Sequence, residues 1–136
     1  MTPSVETKIW LALKNHLMQY DPSITKLMPA QIEAPPRDKY IRVGSVTVAP
    51  QSILIDDGKP HRRTGFLVLS VVMPLHQATE VYDNEAGQLA RHFIDGTQVY
   101  YGGVCVTVTS YPHIGDGYQE SGFWETPVRV QWQCFA

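Results

Sequence analysis

At 136 residues, with 43% apolar and 18% charged side chains, the chain suits one globular domain and is long enough to bury roughly two-thirds of its unfolded surface. A net charge of −2 gives no basic excess for nucleic acid, and two cysteines, Cys105 and Cys134, make neither a disulfide framework nor a metal-site spacing. No run reaches the ~18 apolar residues of a membrane span, and WLAL at 10–13 is cut short by Lys14 after Glu6, so the expectation is a soluble protein made inside the cell, without a secretory signal and with reduced thiols.

Residues 3–20 predict an amphipathic helix. Val5, Ile9, Leu13 and Leu17 recur every four residues, Thr2 and Pro3 suit its start, and Asp21-Pro22 stops it. Residues 21–39 hold four prolines and read as an extended crossover. The β-branched stretch 40–49 predicts a strand, with Gly44 marking a bulge or a close backbone approach. Residues 50–63 carry turn chemistry around Ile53, Leu54 and Ile55, and are too long for a tight hairpin loop.

The stretch 64–74, TGFLVLSVVMP, is the most apolar of the chain. Phe66, Val68 and Val72 fall on one parity and Leu67, Leu69, Val71 and Met73 on the other, so a central strand covered on both faces is expected. A helix follows over 79–94, with Thr79 as cap, Asp95-Gly96 as stop, and Gly87 hinting at tight packing. Strands are expected over 98–101, 104–111 and 126–135, the first two joined by Gly102-Gly103. Val104, Val106 and Val108 should face the core, as should Val128, Val130, Trp132 and Cys134. The Gly-, Asp- and Tyr-rich stretch 112–124 reads as a second long arm. The sum is a single α+β domain over 1–136, with a largely antiparallel mixed sheet of about five strands. Its two helices, 3–20 and 79–94, pack mainly on one face, and arms project at 50–63 and 112–124.

Chemistry is sparse. Phosphate-loop and dinucleotide motifs are missing, and Gly115-Asp116-Gly117 reads as a turn. His16, His61, His76, His92 and His113 lack metal-ligand spacing, which predicts separate surface histidines and no metal. Cys134 looks like core filler, and nothing near Cys105 in sequence would activate it. Asp56-Asp57 sits in turn sequence, and no Gly-x-Ser-x-Gly elbow occurs. The reading is a protein that is not an enzyme and needs no cofactor. Lys59, His61, Arg62 and Arg63, balanced by Asp56 and Asp57, make a mixed-charge arm and not a nucleic-acid footprint.

In order, IWLALKNHL, YIRVGSVTVAP, RRTGFLVLSVVMP, NEAGQLARHFIDG, VCVTVTSYPHIGDG and WETPVRVQWQCFA span nearly the whole chain. This succession resembles the tail terminator (tail completion) proteins of long-tailed bacteriophages. One departure is local: such proteins often have a glycine-rich turn after the apolar strand, where this chain has Pro74-Leu75-His76-Gln77. The resemblance implies a virion protein at the tail–neck junction, phage- or prophage-encoded. It implies a ring, usually hexameric, that caps the tail tube, stops its polymerisation and offers a surface to the head connector. Its partners would be further copies of itself, the major tail tube protein and a head-completion protein. On this reading Ile53, Leu54, Ile55, Arg62 and Arg63 contribute to the subunit or tube interface. Two alternatives stand beside it: another neck or minor tail protein of similar fold, and a small-molecule binding module or enzyme with a pocket beside Tyr118, Trp124 and Trp132.

Overall fold

Two long strands zip together at the centre of the domain. β4 (His61–Pro74) and β9 (Phe123–Phe135) pair antiparallel without interruption from Arg62↔Phe135 to Pro74↔Phe123. The computed structural model describes residues 4–28, 38–46, 49–52 and 61–135. The remaining elements, in chain order, are α1 (Val5–Met18), β1 (Thr25–Leu27), β2 (Tyr40–Val46) and β3 (Ala49–Ser52), then α2 (Thr79–His92), β5 (Gln98–Tyr101), β6 (Val104–Val108), β7 (His113–Ile114) and β8 (Tyr118–Glu120). The sheet runs β1-β2-β4-β9-β6-β5, with β3 also on β4 and β7 and β8 also on β9. Among the described strands only β1 and β2 pair parallel. The α+β class and the one-sided helices match expectation. The strand count is larger, because β1, β3, β7 and β8 are two- to four-residue pieces, too short to show a period.

Both helices pack on the same face. α1 buries Ile9, Ala12, Leu13 and Leu17 against β5 and β6, and α2 buries Tyr82, Ala86, Leu89 and Ala90 against β9, β4 and β7. Beneath them lie Leu67, Leu69, Val71 and Met73 with Val106, Val108, Val128, Val130 and Trp132. Trp132 is fully buried, a contribution of about 4–6 kcal/mol at ~25 cal/mol per Å². That outweighs the roughly 1–3 kcal/mol lost at its indole N–H, which finds no acceptor.

The local signals are followed with some shifts. Ser4 caps α1, its Oγ accepting from Thr7 N at 3.2 Å, while Thr2, the expected cap, lies outside the described residues. Helix α2 has no side-chain cap: its N-cap is Ala78, and Thr79 is its first helical residue. At Gly44 both expected features occur, since the β2–β4 register shifts between Val43 and Val46 and an added Cβ would meet Val68 O at 3.0 Å. Gly102 and Gly103 both adopt positive φ, as the tight β5–β6 hairpin requires. In the turn after β4, His76 takes φ 69°, the left-handed geometry that glycine would adopt at least cost. Tyr82 holds this turn, its hydroxyl donating to Pro74 O at 2.9 Å and accepting from Gln77 N at 3.2 Å.

Two expectations are corrected. β4 is covered on both faces only toward its end: on the side away from the helices Val72 is buried, whereas Phe66 and Val68 are 36% and 37% exposed, because both helices cross the opposite side of the sheet. Gly87 does not mark tight packing, since nothing lies within 4 Å of where its Cβ would be. Gly87→Ala should therefore raise stability by about 0.5–1 kcal/mol, a Tm gain of about 2–4 °C by calorimetry. Gly44→Val should lower stability by about 1–3 kcal/mol, because Val68 O is backbone of a paired strand. Equal Tm changes in the two variants would contradict this account.

Candidate interaction surface

The face of the sheet away from the helices carries the chain's unusual chemistry; it is buried at one end, around Tyr40, Val72 and Glu125, and open around Phe66 and Val68. Strand alternation puts Tyr40 and Arg42 of β2, Arg62, Phe66, Val68 and Val72 of β4, and Glu125, Pro127, Arg129 and Gln133 of β9 on this side. At one end a cleft of about 330 Å³ is lined by Tyr40, Arg42, Tyr118, Phe123 and Glu125. The Glu125 side chain is 2% exposed, and Arg42 Nη1 donates to its Oε1 at 2.6 Å while Tyr118 OH donates to Oε2 at 2.7 Å. Arg42 Nη2 also donates to Tyr40 OH at 3.2 Å. The bond to Glu125 holds the Tyr118 phenol above its ordinary pKa. Each oxygen of this carboxylate has a hydrogen-bond partner, so the cluster is a satisfied ion pair.

Midway along the face, the Arg129 guanidinium lies over the Phe66 ring, 4.8 Å from its centroid. Val68, Pro127, Gly115, His113 and Arg129 border a shallow hollow of about 370 Å³ beside it. Farther on, Arg62 Nε donates to Gln133 Oε1 at 3.3 Å. The stretch 112–124 lies against β9 through β7 and β8. Gly117 makes this possible, since a Cβ there would stand 2.2 Å from Trp124 Nε1.

The expected interface residues separate. Arg62 is on the open face, whereas Arg63 turns toward the helices, its side chain 13% exposed and its Nη1 2.5 Å from Glu6 Oε1 on α1. Ile53, Leu54 and Ile55 lie outside the described residues. The aromatic trio expected to flank a pocket does not converge. Trp132 is in the core, Trp124 stacks on Tyr82 at 5.7 Å, and Tyr118 alone reaches the cleft. Cys134 is buried, which raises its thiol pKa, and Cys105 is half-buried. Among the described residues no His, Cys, Asp and Glu cluster has the makings of a metal site, and no helix is long and apolar enough to cross a membrane.

Two histidines expected to be separate come together instead. His16 and His92, in the last turns of α1 and α2, stack at 4.0 Å between centroids. His16 Nε2 lies 2.7 Å from His92 O, and His92 Nε2 lies 2.6 Å from His16 O, so each neutral ring can donate to a carbonyl at the other helix's end. Sequence reasoning missed the pair because the residues are 76 positions apart. The only trace is that each stands about where its helix stops. Elsewhere Tyr20 donates to Glu85 Oε1 at 3.2 Å, and Lys39 Nζ lies 3.5 Å from Glu85 Oε2. Burial, with help from Glu85, pushes the Tyr20 phenol well up.

The comparisons with known proteins bear on this geometry. The family model described as phage tail terminator protein matches residues 8–132. The chain belongs to the phage tail terminator family. It is a phage tail structural protein, and so a virion component. No curated protein matches it. Two solved structures share the fold. One, at 20% identity and TM-score 0.71, covers 93% of this chain and 92% of its own, under a title that states no activity. The other is titled the virion of a native gene transfer agent particle, at 11% identity and TM-score 0.62 over 98% of this chain and 96% of that one.

Two outcomes test the site. Arg42→Met leaves Glu125 buried with Tyr118 as its one partner, so chemical denaturation should show a loss of about 1–3 kcal/mol, whereas an unchanged midpoint would mean the pair is solvated. Burial holds His92 below its ordinary value of 6.5, with His16 and Lys26 adding repulsion, so the unfolded chain binds that proton more readily than the folded one. The stabilisation is complete above 6.5 and is lost as pH falls through the lowered value. Tm should fall between about pH 7.5 and about pH 5.5, and His92→Gln should flatten that slope. An identical slope in wild type and variant would remove the histidine pair from the explanation.

Proposed function

We propose that this terminator assembles as a closed ring of its own copies, a hexamer, on the last ring of the tail tube. There it stops tube polymerisation and offers its far side to the head connector. The single observation that carries the reading is the family match over residues 8–132. The bare sheet face, with Phe66 and Val68 exposed beside Arg129, adds support, because a protein that works by contact needs apolar surface outside its own core. Ile53, Leu54, Ile55 and Arg62 contribute the subunit or tube contact. Arg63 serves from within by tying the base of the β3–β4 hairpin to Glu6 of α1. Ring closure calls for two different surfaces on each copy, one meeting the other on its neighbour.

A second reading is a different neck component, since the matched gene transfer agent chain belongs to a structure named for the whole particle and not for one of its parts. Only a terminator should cap purified tail tubes. In negative-stain images, tubes grown with the protein should stop elongating and carry a terminal cap. Leu54→Asp with Arg62→Glu should keep the wild-type circular dichroism spectrum and lose the caps. Wild-type protein that leaves tube growth unchanged would sink the capping role, and capped tubes from the double variant would sink the role of the hairpin. Arg63 is left intact in this test because a carboxylate there would face Glu6.

A further inference from the structure

β5 ends the strand order, and no described strand lies beyond it. Tyr101↔Val104 closes the two-residue Gly102-Gly103 hairpin, and Val108 N donates to Thr97 O at 2.9 Å. The residues bonded to β6 are therefore Tyr101, Val99 and Thr97. Gln98 and Tyr100, which alternate with them, turn their N–H and C=O groups outward from the sheet.

Edge strands are ordinarily blunted by charge, proline, a bulge or brevity. β3 contains Pro50, β1 and β8 are three residues long and carry Lys26 and Glu120, and β7 has two residues. β5 keeps an unbroken register and has neither charge nor proline. Its Tyr100 is 65% exposed. An edge left in this state is a template for a further extended strand. The same edge on a second copy is its complement. With Val99 on a two-fold axis, Gln98 stands opposite the partner's Tyr100 and Tyr100 opposite the partner's Gln98, and each pair exchanges two backbone bonds.

The helical side admits this approach. α1 lies over β5 and β6, so with strands ~4.8 Å apart the two-fold sets the paired α1 helices roughly 10 Å apart, a helix-packing distance. A groove beside β5, lined by Ala12, Asn15, Gln19 and Val99, opens where they would meet. Its exposed flank, Asn15 and Gln19, is uncharged, so like charges do not oppose contact there.

We propose that β5 is a self-pairing edge, through which two copies of the free protein join antiparallel about Val99 into one continuous sheet. The contact goes beyond the ring reading. It is isologous and closes on itself, whereas a ring propagates through two different surfaces.

Residue-resolved amide hydrogen exchange on the free protein tests it, run with sedimentation at about 20 μM and about 1 mM. Val99 and Tyr101 should be protected at both concentrations by β6. Gln98 and Tyr100 should gain at least about tenfold protection as the mass rises toward that of a dimer. A monomer at the higher concentration overturns the proposal, and so does a dimer in which Gln98 and Tyr100 exchange freely. Tyr100→Pro removes an outward N–H and takes no bond from β6, so it should keep the wild-type circular dichroism spectrum and stay monomeric. Gln98→Pro acts in the same way and decides the point should the first variant misfold. A folded proline variant that dimerises as tightly as wild type overturns the pairing. No arm uses tail tubes, so failure here leaves the capping reading standing, and failure to cap tubes leaves this pairing standing.

Discussion

Everything in this domain depends on the unbroken pairing of β4 with β9. Their ladder runs from Arg62↔Phe135 to Pro74↔Phe123, and β2, β3, β6, β7 and β8 all attach to one or the other. Backbone groups deep in the sheet are satisfied by this ladder, which frees the side chains to specialise by face. One face takes Leu67, Leu69, Val128, Val130 and Trp132 into a core under both helices. The other presents Phe66, Val68 and Arg129 to the outside.

A few polar ties fix how the surrounding elements sit on that ladder. Glu6 and Arg63 join the start of α1 to β4, the stacked histidines join the ends of α1 and α2, and Glu85 links α2 to Tyr20 and Lys39. On the open side, Glu125 holds Arg42 and Tyr118 together across β2, β9 and β8. All but the Tyr118–Glu125 bond span elements far apart in sequence, so they constrain the tertiary arrangement more than any local conformation. Each ion pair is also partly exposed at one end, at Lys39 and Arg42 in two and at Glu6 in the third, which limits its worth in energy.

A tail structural protein gains nothing from converging ionisable groups and a great deal from a rigid body with distinct sides. The helical side of this terminator is sealed. The strand side places Arg129 over Phe66 in its middle and is closed at one end by a neutralised ion pair. Such a division suits a protein that works by surface contact.

The helices, the central strand, the Gly102-Gly103 hairpin and the inward residues of β6 and β9 were legible in the sequence, because period, capping and turn chemistry act over a few neighbouring residues. The family resemblance was legible for a related reason, as a succession of such local signals. What the sequence could not settle is which partner each segment meets. The apolar residues on both parities of β4 announced two contacts, yet only the three-dimensional course of the helices decided that Phe66 and Val68 stay exposed while Val72 is buried. The same holds for Arg62 and Arg63, adjacent in sequence and sent to opposite faces, and for His16 and His92, stacked across 76 residues. Local forces wrote the elements, and packing over long separations alone decided which surfaces were left for others.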